Sequence, residues 1–243
     1  MRFSSPSPLL AAVVASLLVL AACEQKPETP SGEAPATPAT NETPEIGGGA
    51  TSALALHDGS PLAIVSPEAL LNPKGLVDRP LGGVGARVWL IEYASPTCPA
   101  CADFHVNTYP ALKAQYIDTG KIVFLLRPFI RNTLDAVVFM LAECSVDKYH
   151  DLMAGFFERQ TEWATSATPR DAILTVALDY GFTEETFDVC LENQDLFAKL
   201  DDERTQALDE FGLEATPTFY MQGKQFSGSK PIEDMQAEID PLL

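Results

Sequence analysis

The chain has 243 residues, is 46% hydrophobic and carries a formal net charge of −18, enough chain for one full domain plus a further segment. Arg2, with the six acids and one lysine of residues 24–60, accounts for only −4 of that charge, which leaves −14 on residues 61–243. A domain this acidic is repelled by phosphate backbones and by anionic lipid, so nucleic acid is excluded as the expected partner and charge as the means of membrane attachment.

Arg2 and the apolar run from Leu9 to Leu20 have the form of a secretory signal over residues 1–22, since the run is shorter than the roughly 20 residues of a bilayer span. It ends in "LAAC", Leu20 to Cys23, which resembles the lipobox of bacterial lipoproteins and implies lipidation of Cys23 as the mature N-terminus. An ordinary cleavage site beside a chance cysteine is the alternative. Five cysteines would leave an odd thiol in an oxidising compartment, whereas acylation of Cys23 leaves the even set Cys98, Cys101, Cys144 and Cys190. Residues 23–60 are rich in Pro, Thr and Glu with little to bury, and are expected to form a disordered tether before a domain over 61–243.

Within that domain "ARVWLIEYA", residues 86–94, is a near-continuous apolar run, as in a central strand covered on both faces. "SPTCPAC" follows, then a helix to about Tyr116 with Cys101, Phe104, Thr108, Leu112 and Tyr116 on one face and an expected kink at Pro110. "KIVFLLRPF", Lys121 to Phe129, predicts a second buried strand. The stretch from about 131 to 212 is helical in character. Leu134, Val137, Val138, Leu141 and Cys144 form one stripe, and Leu152, Phe156 and Trp163 a second. Thr168 is read as an N-cap before Pro169 in a helix closed by Gly181, Thr183 opens a helix bearing Phe187 and Cys190, and Leu196, Leu200, Leu208 and Phe211 mark one stopped by Gly212. "TPTFYMQGKQFSG" then reads as a hairpin turning at Gln222-Gly223, and Pro231 to Leu243 as a closing helix with Ile232, Met235 and Ile239 inward.

Cys98 and Cys101 could by themselves be a redox pair, half of a zinc site, a structural disulfide or two buried thiols. Their position decides what chemistry is open to them. Cys98 sits where a strand hands over to a helix, so unsatisfied N–H groups and the positive end of the helix dipole stabilise its thiolate. Cys101, one turn inward, is placed to resolve a mixed disulfide formed at Cys98. Pro217 follows Thr216 in a segment that reads as a strand, where proline is either punctuation or the mark of a special peptide bond or edge position.

A strand ending in C-P-x-C at a helix start, a later "TPTF" strand and a β-β-α close resemble the thioredoxin fold, an α/β fold of the form β-α-β … β-β-α. The helical block between its halves narrows the resemblance to the DsbA-like thiol:disulfide oxidoreductases, and "FHVNTYPALKAQYIDTGKIVFLLRPF" after the cysteines also looks like that family. The resemblance spans roughly residues 85–243. It implies disulfide exchange without a cofactor, and a cis peptide at Pro217 that leaves the Thr216 backbone free to bond an extended substrate. It also implies a buried carboxylate at Glu92 able to relay the proton of Cys101, although Glu92 read alone could be an acid snorkelling from the strand end. Some members carry a second disulfide in the helical block, which points to a Cys144–Cys190 bridge, with two inert buried thiols as the alternative. Strongly oxidising members often have histidine where this chain has Ala100, which implies a weaker oxidant.

Cysteine-containing exported proteins are the substrates so implied, with a lipid anchor to a periplasm-facing membrane and, for an oxidase, a membrane redox partner that restores the disulfide. A reductase or assembly factor for cytochrome or copper-site maturation would fit the same fold. A metal module using the cysteines with His105 or His150 is the rival of another class, although Cys144 and Cys190 lack the paired spacing of zinc knuckles. His105 is otherwise expected at the surface or the edge of the core.

Overall fold

The computed structural model describes residues 65–243; the signal, Cys23 and the tether read from the sequence lie outside the described residues. A short helix α1 (Pro67–Leu70) precedes the edge strand β1 (Leu81–Gly82) and the central strand β2 (Val88–Ala94). The redox helix begins as α2 (Pro99–Asp103) and α3 (Tyr109–Leu112), and β3 (Ile122–Pro128) follows. The inserted block comprises α4 (Thr133–Cys144), α5 (Tyr149–Glu158), α6 (Gln160–Ala164), α7 (Pro169–Asp179), α8 (Glu184–Leu191) and α9 (Gln194–Asp209). The hairpin β4 (Thr218–Met221) and β5 (Lys224–Ser227) and the helix α10 (Ile232–Ile239) complete a thioredoxin fold.

The sheet order is β1-β3-β2-β4-β5, with β2 and β3 parallel and the other pairings antiparallel. The two-residue strand β1 has no periodicity to read and is absent from the sequence expectation. Alternation along β2 sends Leu90, Glu92 and Ala94 to one face and Ile91 and Tyr93 to the other. The first face packs against the redox helix and the inserted block, and the second against Ala207, Phe211 and Tyr220. The hairpin turn at Gln222-Gly223 has φ values of 51° and 83°, the paired left-handed conformation that suits a two-residue connection between twisted strands.

Three helical expectations are adjusted. The redox helix bears the five predicted inward residues, all buried, but its irregularity is two wide π-helical turns, Phe104–Thr108 and Lys113–Ile117, on either side of the turn holding Pro110. Proline lacks the N–H that a regular ladder would use there, and the wider turns absorb the mismatch. The single helix expected through Leu152, Phe156 and Trp163 is two, broken at Arg159 (φ −101°, ψ 19°). Thr168 occupies the N-cap of α7 without a side-chain cap bond, whereas Thr183 caps α8 through a reciprocal bond with Thr186.

On the second face a buried polar cluster ties the N-terminal segment to the sheet. Arg127 donates to both Asp78 oxygens at 2.7 Å, to the Leu70 carbonyl at 2.6 Å and to the Tyr93 hydroxyl at 2.9 Å, and Tyr93 donates to Glu203 at 3.0 Å. These are charge-assisted bonds in a buried setting, where losing one partner strands the others. Among the described residues no helix is long and apolar enough to cross a membrane.

Candidate active site

The apolar run of β2 ends at Ala94, and the chain must then reverse over the sheet edge into the redox helix. Cys98 is the N-cap of α2 (φ −82°, ψ 120°), with Pro99 at the first helical position, where a missing N–H costs nothing. Both thiols are free. Cys98 retains 6% exposure and Cys101 none, so an incoming sulfur can reach only Cys98.

The two thiols are displaced in opposite directions. Cys98 is lowered to about 5, chiefly by the hydrogen bond from the Cys101 thiol and, against the cost of burial, by the Thr216 side chain and the N–H groups of Cys101 and Ala100. The helix N-terminus expected to act on Cys98 therefore contributes, but its neighbour's thiol contributes more. Cys101 is driven far up by burial, by its bond to Cys98 and by the negative charge of Glu92, with only the Ser95 N–H at 3.5 Å opposing. One sulfur is thus ionised and accessible at neutral pH, while the other holds its proton.

The peptide bond between Thr216 and Pro217 is cis. The Thr216 carbonyl accepts from Cys98 Sγ at 3.2 Å, which places this loop directly against the nucleophile across the sheet edge. The Thr216 hydroxyl is buried without a partner beside the neutral thiol, and a Cys98 thiolate would supply the acceptor it lacks.

Glu92 is fully buried beneath the pair, which corrects the snorkelling alternative: the pleat turns it inward, onto the face that holds the redox helix. Its two oxygens meet His105 Nε2 at 3.0 and 3.2 Å. His105 is 8% exposed and stacks on Phe157 with ring centroids 4.0 Å apart and planes 10° from parallel, so the surface or core-edge placement is also corrected. Burial of a carboxylate demands a partner, and a histidine one turn beyond Cys101 on the helix above supplies it. His150 is elsewhere, bonded to the Arg79 carbonyl at 2.8 Å, and among the described residues no three His, Cys, Asp or Glu side chains gather to hold a metal.

Two residues that the sequence reading passed over complete the site. Asp135, fully buried at the start of α4, accepts from Ser95 Oγ at 2.8 and 2.9 Å, from the Thr97 N–H at 2.8 Å and from the Arg131 N–H at 2.9 Å. Gln160 donates to the Pro96 and Cys98 carbonyls at 2.6 and 2.9 Å. The spacing of Asn132 and Asp135, an N-cap and the residue three beyond it, was the only local signal for Asp135, and Asn132 indeed caps α4. Cys144 and Cys190 form a disulfide between α4 and α8, with Cα atoms 6.2 Å apart.

Residues 76–241 match a family model described as Thioredoxin. A Rickettsia conorii protein, named provisionally as a protein-disulfide oxidoreductase, is 32% identical over 168 residues, 68% of this chain and 60% of that protein, so the matched part of this chain spans less than two thirds of that relative's length. Disulfide bond formation protein D of Bacillus subtilis is 23% identical over 67% of this chain and 76% of its own. The crystal structure of Wolbachia pipientis alpha-DsbA1 superposes with a TM-score of 0.66 at 26% identity, covering 72% of this chain and 94% of that one.

Proposed function

We propose, from the premise that this chain belongs to the thioredoxin family in its DsbA-like form, that it is a thiol:disulfide oxidoreductase acting on cysteine-containing proteins. The observation that carries this reading is the opposite displacement of two thiols one helical turn apart, with only the stabilised one retaining any contact with solvent.

In the oxidising direction a substrate thiolate attacks Sγ of Cys98 in the Cys98–Cys101 disulfide. The S–S bond breaks, its electron pair leaves on Cys101, and that sulfur takes up a proton because its thiol form is strongly favoured. A second substrate thiolate then attacks the substrate sulfur of the mixed disulfide and expels Cys98 as a thiolate. The substrate has lost two electrons and the pair has gained them. Escape from a stalled mixed disulfide reverses the first step: Cys101 gives its proton to Glu92 and displaces the substrate thiolate. Thr216, at the cis-proline loop, offers its backbone to the substrate beside Cys98.

The finer reading is that the protein is exported and held to an envelope membrane through lipidated Cys23, with residues 23–60 as the tether. Its substrates are then exported proteins, and a membrane redox partner regenerates the disulfide. The "LAAC" stretch closing a short apolar run supports the anchor. The test of activity is oxidation of a reduced, unfolded dithiol protein and reduction of insulin: both proceed with the parent and cease with Cys98→Ser if the reading holds, and an inactive parent refutes it. The anchor is tested by fractionating cells that express Cys23→Ala, which should lose membrane retention; equal retention of parent and variant refutes that part.

A further inference from the structure

Gln160 takes no part in the exchange steps above, yet its side chain reaches the redox turn from the inserted block. It owes its place to the break at Arg159, which ends α5 and restarts the chain as α6 with Gln160 as its first residue. The residue is 9% exposed. Its one NH2 group meets two carbonyls of the turn, Pro96 at 2.6 Å and Cys98 at 2.9 Å. The Cys98 carbonyl also accepts from the Ala102 N–H at 3.1 Å, the bond that starts the redox helix.

Two carbonyl oxygens that face one buried space repel each other, and a primary amide, with two N–H bonds on one nitrogen, can satisfy both. Asp135 holds the same turn from the other side, but its bonds fall on Ser95, Thr97 and Arg131 and none reaches Cys98. Gln160 thus fixes the carbonyl of the nucleophile's own residue, and with it the angle at which Cys98 Sγ meets the N–H groups of Ala100 and Cys101. Those N–H groups matter to a thiolate and far less to a disulfide sulfur, because a charged acceptor makes the stronger bond. A contact that aligns them therefore favours the reduced pair over the oxidised one.

We propose that Gln160 is a positioning residue through which the helical block sets the redox poise: by bridging the Pro96 and Cys98 carbonyls it holds the turn in the form that stabilises the Cys98 thiolate and makes the pair a stronger oxidant. This rests on the disulfide-exchange reading, which insulin turnover by the parent tests by itself.

The inference is tested on the full chain with Gln160→Met, which keeps the length and removes the donor, and Gln160→Glu, which keeps the shape and sets an acceptor against two acceptors. Thiolate absorbance is titrated, and the pair is equilibrated with glutathione. The thiolate midpoint should rise by about 0.5–1 pH unit and the equilibrium constant for oxidising glutathione should fall by about three- to tenfold, with the glutamate variant the more affected at pH 7. Melting of both redox forms separates this from plain destabilisation. If the oxidised and reduced forms lose stability equally and the glutathione equilibrium matches the parent, the proposal is overturned. Should either variant not fold, Gln160→Asn, which keeps the amide on a shorter arm, supports the proposal by shifting the equilibrium in the same direction and refutes it by leaving the equilibrium unchanged. Both readouts need no substrate, so they decide the matter whatever the insulin assay gives.

Discussion

The described chain holds two cysteine pairs of contrary character. Cys98 and Cys101 are three residues apart at a strand-to-helix junction, one thiol ionised and reachable, the other fully buried and protonated. Cys144 and Cys190 are 46 residues apart on two helices and joined, Cys190 buried in the core and Cys144 exposed at the end of α4. The same side chain is a reactive centre in one place and a strut in the other. What differs is the chemistry around the sulfurs: N–H groups, a hydroxyl and a neighbouring thiol converge on Cys98, whereas the second pair is locked as a disulfide running from the buried Cys190 to the exposed Cys144.

The sharpest way to break the contrast is to remove sulfur from each pair in turn. Cys101→Ser should leave substrates trapped on Cys98 and reduce turnover at least about a hundredfold, read as a mixed disulfide on non-reducing gels, with folding intact. The paired substitution Cys144→Ala with Cys190→Ala should do the reverse. Opening a loop of that length costs about 3–4 kcal/mol of stability, while the Cys98 thiolate titration stays where it was. Denaturant unfolding checks the first value. A large shift in the titration would show that the strut is electrically coupled to the reactive pair.

A smaller effect is expected beneath the redox pair. Glu92→Gln removes the negative charge that faces Cys101, so the Cys101 thiol should titrate lower than in the parent. Escape from mixed disulfides should nevertheless slow by about tenfold, because the proton acceptor is gone. Quenched-flow decay of a mixed disulfide measures the rate. His105→Phe, which keeps the stacking on Phe157 and strands the carboxylate, should destabilise the protein more than Glu92→Gln does. The smallest change is Ala100→His. A charge-assisted contact to the thiolate is worth about 1–2 kcal/mol, and 30 mV corresponds to about 1.4 kcal/mol for a two-electron couple, so the potential should rise by about 20–45 mV. Equilibration with glutathione reads it, and a histidine variant no more oxidising than the parent sinks the argument from Ala100.

The reactive pair was legible because its determinants are local. The apolar run into Cys98, the spacing to Cys101 and the proline at 217 are all short-range patterns, and the helical stripe placed Cys190 on an inward face, whereas Cys144, expected on the inward stripe of α4, is exposed at the end of that helix. What holds the redox turn was not legible. Glu92 and His105 were each noticed, but their pairing joins a strand to a helix 13 residues later, and no single period links them. Asp135 and Gln160 reach the turn from 38 and 62 residues away, and Gln160 does so only because α5 breaks at Arg159, a break with no proline or glycine to announce it. The Arg127 cluster escaped for the same reason: its arginine lies in an otherwise apolar strand, and its partners come from three distant segments.

The central claim is that Cys98 is a thiolate at neutral pH while Cys101 is not. The reduced form should gain stability from that ionisation fully above about pH 9, lose it as the pH falls, and retain none below about pH 5, because the folded thiol is depressed relative to the unfolded one. The most direct measurement is the thiolate absorbance of the reduced protein between pH 3 and pH 9, with Cys98→Ser as the blank. A single-thiol transition with its midpoint near 5 is the predicted result. A midpoint near the ordinary cysteine value of about 8.5, or two thiols ionising together, would contradict it.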